Sequence, residues 1–117
     1  MKKAITILIL FLAVCAISAQ DINGTWSGAL DIPGGQLRIN FNVSSTELGY
    51  SSTLDSPDQN AYGIPVDTTV YKKPELTIKV ANLDLEYVGT VVDDTIMNGT
   101  LTQMGQTLEL NMKKKME

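Results

Sequence analysis

The chain has 117 residues and a formal net charge of −4 at pH 7, and 44% of its residues are hydrophobic. It contains no histidine and one cysteine. The lack of histidine excludes His-based catalytic triads and His metal sites. The acidic balance disfavours binding to nucleic acid or to anionic membrane surfaces.

The first 19 residues have the pattern of a secretory signal peptide. Lys2 and Lys3 precede an apolar run over residues 4–14, and small residues follow it up to Ala19. The run is too short to favour a membrane span. We therefore predict cleavage after Ala19, a single domain over residues 20–117, and export to the periplasm or the extracellular space.

The position of Cys15 leaves a lipoprotein anchor as an alternative. The residue before it is Val14, where lipoprotein signals carry Gly, Ala or Ser. Cleavage after Ala19 removes the cysteine and leaves seven Lys and Arg against 13 Asp and Glu. The mature domain must then be stabilised by its apolar core, because it has no disulfide.

Beyond the signal, apolar and polar residues alternate in short runs separated by turn residues. In the clearest run, residues 36–43, four apolar side chains share one face: Leu37, Ile39, Phe41 and Val43. Further runs cover residues 24–32, 50–54, 66–71, 76–80, 83–91, 95–102 and 108–112. Short strands joined by turns, with no sustained helical period, predict an all-β fold. We expect a small antiparallel up-and-down β-barrel of about eight strands.

A barrel of this size either fills its interior with side chains or holds one small ligand. The short strands favour a mostly filled interior. The side chains predicted to face inward, and to line a ligand cavity if the barrel is hollow, are Trp26, Leu37, Ile39, Phe41, Leu85 and Tyr87. Trp26 itself fits a plug at one end of the core better than a platform for a ligand.

Residues 54–66 interrupt the alternation. Two prolines in this segment limit ladder pairing, and carboxylates, amides and a tyrosine occur together. We predict an irregular loop that carries the candidate binding residues Asp55, Ser56, Pro57, Asp58, Gln59, Tyr62, Ile64 and Pro65. Its carboxylates could form a polar clamp or a weak calcium site. We favour the simpler interpretation, in which they accept backbone N–H groups and shape the turn.

Four other stretches carry local predictions. Val66 and Val70 are expected to point inward from their strand, and Gly99 is expected to form a bulge. Met104-Gly105 fits a two-residue turn. The lysines at 113–115 are expected to form a solvated end.

No catalytic site is recognisable. The mature chain has no thiol nucleophile, no Gly-x-Ser-x-Gly elbow, and no phosphate loop or dinucleotide fingerprint. Ser51 and Ser52 have no histidine to activate them. We therefore predict a protein that is not an enzyme, with no catalytic residue, no cofactor and no metal ion.

Two resemblances bear on the fold. Gly24-Thr25-Trp26 resembles the Gly-x-Trp sequence that opens lipocalin-type barrels of the calycin group. This resemblance implies a β-barrel that holds a small apolar ligand. Lipocalins usually pack a late arginine on the tryptophan, whereas the only arginine here is Arg38, early in the chain, and this chain is shorter than a full lipocalin.

The second resemblance is to the small β-domain that precedes the α/β-hydrolase domain in secreted bacterial serine esterases. It rests on residues 24–30, 37–41, 54–59, 63–66, 99–103 and 105–106, with Ser-Pro-Asp-Gln and Gly-Ile-Pro as the distinctive parts. In that family the nucleophile, the acid and the histidine lie downstream, and this chain ends at Glu117, where the hydrolase would begin. The resemblance implies an accessory module, and a hydrolase assignment by similarity alone would carry over a function whose residues are missing.

The first functional interpretation is an exported, non-catalytic module that binds a partner through the loop at residues 55–65. The partner could be a separately encoded hydrolase, another envelope protein or a glycan. The alternative is a lipocalin-like carrier of a small apolar ligand, and a hydrolase comes third. An internal cavity of roughly 300 Å³ or more, lined by Leu37, Ile39, Phe41, Leu85 and Tyr87, would favour the carrier. A filled core with an exposed apolar patch beside Tyr62 and Ile64 would favour the partner-binding module.

Overall fold

The computed structural model describes residues 21–115, so the predicted signal peptide and its cleavage site lie outside the described residues. This part of the chain forms ten β-strands and no α-helix. The strands are β1 (Gly24–Ile32), β2 (Gly35–Thr46), β3 (Gly49–Ser56), β4 (Ala61–Pro65), β5 (Thr68–Lys72), β6 (Glu75–Val80), β7 (Leu85–Asp93), β8 (Ile96–Gln103), β9 (Gln106–Glu109) and β10 (Met112–Lys114). Two single-turn 3-10 helices cover Pro57–Gln59 and Ala81–Leu83.

All strands belong to one antiparallel sheet in the order β4-β3-β2-β1-β10-β8-β7-β6-β5, with β9 paired to β8. The predicted all-β antiparallel fold is confirmed. The sheet curls into a half-barrel, and its hydrogen-bonded path ends at β4 and β5. Side chains bring β3 and β5 together: the hydroxyls of Ser52 and Thr69 lie 2.7 Å apart. Beside them, the rings of Tyr50 and Tyr71 meet edge to face at 5.9 Å.

The aromatic side chains fill one half of the interior. Phe41 and Tyr87 are fully buried, and their ring centroids are 5.2 Å apart. The Tyr87 hydroxyl donates a hydrogen bond to the carbonyl of Leu110 at 3.0 Å. Trp26 is also buried, and its indole N–H donates to the carbonyl of Ile22 at 3.0 Å. The bond holds the residues before β1 against this end of the core.

The predicted solvated end at residues 113–115 is only partly confirmed: Lys113 and Lys115 are exposed, but this stretch is not a free end. Met112–Lys114 forms β10, which pairs with both β1 and β8 and so joins the two halves of the sheet. The half-buried Lys114 places its ammonium 5.9 Å from the Trp26 ring centroid and donates to the carbonyl of Asp21 at 2.9 Å. Long lysine stems can cover apolar surface in this way, so charge alone did not reveal the strand.

The inward face of β5 also differs from the prediction. Val66, which precedes the strand, packs against the core as predicted. Within β5, Tyr71 packs against the core and Thr69 contacts the buried Ser52, while Val70 is 40% exposed. The register with β6 explains the difference. Thr69 pairs with Ile78 and Tyr71 pairs with Leu76, two of the most deeply buried residues. Because cross-strand partners share a face of the sheet, pairing with β6 turns Val70 outward.

Gly99 does not form the predicted bulge. It pairs regularly with Gly89 across β7 and β8, and the register shift lies between Val91 and Asp93 instead. The Tyr87 side chain packs against both glycines. The glycine pair therefore makes room for an aromatic ring. The predicted turn at Met104-Gly105 is confirmed, and its two residues have φ angles of 51° and 84°.

A candidate binding pocket and the segment that borders it

An apolar pocket opens at the end of the half-barrel away from the aromatic core. It has a volume of about 370 Å³. Its lining consists of Leu30, Leu37, Ile39, Leu54, Ser56, Gln59, Ala61, Ile64, Leu83, Leu85, Leu101 and Gln103. None of these residues carries a charge, and the three polar ones are a serine and two glutamines. The pocket is therefore a site for a mostly apolar molecule.

The six interior residues predicted from the sequence divide into two groups. Leu37, Ile39 and Leu85 line the pocket, whereas Trp26, Phe41 and Tyr87 fill the other half. Five of the apolar pocket residues are at most 6% exposed, which agrees with the mostly filled interior that was expected: Leu30, Ile39, Leu54, Leu85 and Leu101. The interior is still divided into a packed half that holds the aromatic side chains and a half that borders the pocket. The reason is the distribution of side-chain size, because no aromatic residue reaches the pocket end.

Sequence reasoning missed several pocket residues that the same alternation could have found. Leu101 and Gln103 follow Gly99 at intervals of two, so they share its inward face. On β3, Leu54 stands two residues before the predicted candidate Ser56, so the alternation places it on the same face. Leu83 also follows the alternation, two residues before Leu85, but the structure places it at the end of a 3-10 turn rather than in a strand.

The predicted irregular loop is largely a strand. β3 extends to Ser56, a 3-10 turn follows, and β4 pairs back onto β3 with Leu54 opposite Ile64 and Ser56 opposite Ala61. Pro65 is tolerated because β4 is an edge strand, where a missing N–H breaks no ladder. We call residues 55–65 the border segment.

The border segment has two faces. Ser56, Gln59 and Ile64 face the pocket. The outer groove, described below, contains Pro57 and Tyr62. The remaining candidate residues, Asp55, Asp58 and Pro65, are absent from the pocket lining. The eight candidate residues therefore do not form one site.

The two carboxylates shape the border segment. Asp58 accepts the backbone N–H of Arg38 at 2.8 Å and the Arg38 guanidinium at 2.9 Å. Asp55 accepts the backbone N–H of Gly63 at 2.8 Å and the Asn42 amide at 3.1 Å. These bonds support the turn-forming interpretation. Among residues 21–115, no group of three or more His, Cys, Asp or Glu side chains is placed to hold a metal ion.

The hydrogen bonds also set the ionisation of both carboxyls. The Arg38 side chain, followed by its backbone N–H, lowers the pKa of Asp58. Burial alone would raise the pKa of Asp55, but the hydrogen bonds from Gly63, Asn42 and Asn40 together lower it. Both groups thus favour the ionised form in the folded protein.

We expect the border segment to make the domain sensitive to acid. A carboxyl whose pKa is lowered on folding stabilises the fold fully above its unfolded pKa, about 4. That stabilisation is lost as the pH falls through the lower, folded pKa. Urea unfolding between pH 7 and pH 2 should therefore show a steeper loss of unfolding free energy for the wild type than for Asp55→Asn or Asp58→Asn. Equal slopes for all three proteins would contradict this account. Asp94→Asn, in the exposed turn between β7 and β8, is the control that should keep the wild-type slope.

A second depression lies on the outer face of the sheet. It has a volume of about 380 Å³ and is lined by Ser27, Gly28, Arg38, Asn40, Pro57, Tyr62 and Lys115. Tyr62 is 63% exposed. This outer groove is polar and shares no residue with the pocket.

Within the described part of the chain, no helix is long and apolar enough to cross a membrane. No protein-family model matches the chain, and a search of curated proteins gave no match.

Proposed function

We propose that the protein binds a small, mostly apolar molecule in the pocket of the half-barrel. The observation that carries this proposal is an uncharged cavity of about 370 Å³ walled by leucine and isoleucine side chains. This volume falls in the range of small-molecule sites, ~300–1,000 Å³, which are mostly apolar with a few polar groups. It was the alternative in the sequence analysis. The pocket has the volume set there for a carrier, and Leu37, Ile39 and Leu85 line it, whereas Phe41 and Tyr87 do not.

The energetics of the wall support the proposal. Apolar surface facing an open cavity forgoes burial worth about 25 cal/mol per Å². Most of the wall belongs to the buried core, but Leu37, Ile64 and Leu83 are only partly buried, so a ligand that covers them recovers part of that free energy. The pocket lining has one hydroxyl, that of Ser56, which donates to Gln59 and has no basic side chain beside it. The lining thus fits binding better than catalysis.

The proposal retains the exported location predicted from residues 1–19. It also agrees with the resemblance to an accessory β-domain, since a binding module needs no nucleophile of its own. On this view the protein acts outside the cytoplasm and holds its ligand without changing it.

The test uses two tryptophan substitutions at neighbouring positions on opposite faces of β4. Ala61→Trp should fill the pocket, because Ala61 lines it, whereas Tyr62→Trp should leave the pocket unchanged. The probe is the neutral dye N-phenyl-1-naphthylamine, whose fluorescence rises in apolar sites. We expect saturable binding to the wild type, at least a ~10-fold weaker Kd for Ala61→Trp, equivalent to about 1.4 kcal/mol, and little change for Tyr62→Trp. Dye binding that is absent from the wild type, or equal in all three proteins, would overturn the proposal.

The outer groove supports a second candidate function, the binding of a partner by the outer face of the border segment. The supporting observation is Tyr62, which is 63% exposed beside Arg38 and Asn40. The partner would be a separately encoded hydrolase, an envelope protein or a glycan. Asp55 and Asp58 are unsuitable for testing it, because they hold the segment together. In capture from envelope extract, this function requires loss of the partner by Tyr62→Ala and retention by Ala61→Trp.

A further inference from the structure

We propose that the pocket selects neutral amphiphiles, with an apolar chain and an uncharged hydrogen-bonding head group, over carboxylates of the same chain length. This inference rests on the proposed function and specifies its ligand class. It is carried by the placement of three polar side chains in the lining and by the position of the charges around it.

The polar groups of the lining are already oriented. Ser56, which is only 4% exposed, donates from its hydroxyl to Oε1 of Gln59 at 2.7 Å. This bond engages the carbonyl end of the Gln59 amide, and its Nε2 makes no hydrogen bond to the described residues. Gln59 lines the pocket and is exposed, so its Nε2 is a donor available to a head group at the mouth of the pocket.

A matching acceptor lies on the other wall. Gln103 donates from Nε2 to the carbonyl of Leu83 at 3.0 Å, which leaves its Oε1 without a partner among residues 21–115. The pocket thus offers one amide donor and one amide acceptor. An alcohol or a primary amide can use both, because each head group donates and accepts, whereas a carboxylate can only accept.

The charges around the pocket disfavour a carboxylate further. A carboxylate moved into an apolar site loses its hydration and needs a cation nearby. Arg38 lies between the pocket residues Leu37 and Ile39, but its guanidinium is paired with Asp58 at 2.9 Å and belongs to the outer groove. Asp84, between the pocket residues Leu83 and Leu85, is exposed and is likewise absent from the lining.

The test is displacement of N-phenyl-1-naphthylamine at pH 7.5 by four ligands with the same eight-carbon chain: octan-1-ol, octanamide, octanoate and octylammonium. We expect the two neutral ligands to displace the dye at concentrations at least ~10-fold lower than octanoate, a difference of about 1.4 kcal/mol. Octylammonium should also displace the dye only at higher concentrations than the neutral ligands, because the lining has no carboxylate. If octanoate competes as well as octan-1-ol while the dye still binds, the head-group inference fails and the proposed function survives. If the dye does not bind at all, the proposed function fails.

Two substitutions assign the effect to the glutamines. Gln59→Leu should weaken the binding of octanamide ~5-fold or more, through loss of a hydrogen bond worth roughly 1 kcal/mol. The binding of the neutral dye should be largely unaffected. Gln103→Lys places a cation in the lining and should increase the affinity for octanoate at least ~10-fold relative to the affinity for octan-1-ol. A gain of this kind does not arise from misfolding. An unchanged octanoate-to-octanol ratio in Gln103→Lys would overturn the placement of the head group.

Discussion

Gly99→Ala is expected to abolish the native fold. A methyl group on Gly99 would collide with the backbone carbonyl of Val88, would lie 2.6 Å from the Tyr87 hydroxyl oxygen, and would come within 2.7 Å of the Gly89 Cα. Two of these three neighbours are backbone atoms, so a side-chain rotation cannot relieve the contact. We expect a loss of at least ~4 kcal/mol, which belongs to the exceptional class of single substitutions and is comparable with the whole stability of a small domain, ~5–15 kcal/mol.

The measurement is urea unfolding followed by far-UV circular dichroism, together with the yield of soluble protein. Thr100→Ala is the matched control, because Thr100 is the exposed neighbour of Gly99 on β8. This substitution should change the free energy of unfolding little. The double variant Gly99→Ala, Tyr87→Leu separates the two sources of crowding. It should remain unfolded, because truncating the ring leaves the contacts with the backbone. A folded Gly99→Ala protein with wild-type stability would contradict the close packing of β7 on β8.

Alternation alone predicted the faces of the strands with a strong apolar pattern. In β2 the predicted inward residues Ile39, Phe41 and Val43 are buried, and in β6 the same holds for Leu76 and Ile78. It failed in β5, where the sequence Thr-Thr-Val-Tyr-Lys has no clear alternation of apolar and polar residues and the partner strand decides the register. It also failed at Gly99, because nothing in the local sequence indicates that a distant tyrosine needs the space of two glycines.

The pocket could be predicted only in part, for a related reason. The sequence identifies which residues point inward, but not how far each inward side chain extends along the barrel. The three large aromatic side chains lie toward one end of the half-barrel: Trp26, Phe41 and Tyr87. Leucine and isoleucine side chains line the pocket at the other end. This distribution depends on the stagger of the strands, which is a property of the whole sheet rather than of any one run.

The border segment illustrates what composition can and cannot indicate. Its polar and proline-rich sequence marked it correctly as the exception to the alternating pattern. The prediction of one continuous binding loop did not foresee that β4 pairs back onto β3 and gives the segment two faces. Ile64 and Gln59 consequently contribute to the pocket, whereas Tyr62 contributes to the outer groove.

The two halves of the interior should also be separable by mutation. Trp26→Ala removes the largest fully buried side chain from the packed half, together with its hydrogen bond to Ile22. Truncation of a buried aromatic residue to alanine costs about 3–5 kcal/mol. In a domain of this size that loss corresponds to a fall in Tm of roughly 12–40 °C, since 1 kcal/mol shifts Tm by about 4–8 °C. Thermal unfolding followed by circular dichroism measures this fall, because the substitution removes the only tryptophan.

Trp26→Phe provides the matched control. It keeps most of the buried apolar surface and loses only the indole N–H, so it should cost less than Trp26→Ala and leave the Ile22 carbonyl without its donor. Below their melting temperatures, both variants should bind N-phenyl-1-naphthylamine within about twofold of the wild-type Kd, a change of less than ~0.5 kcal/mol, because Trp26 does not line the pocket. A variant that stays folded but loses the dye would show that the packed half supports the shape of the pocket. The stability of the domain and its affinity for a ligand would then depend on the same side chains. The separation of stability and ligand binding between the two halves of the interior would be wrong.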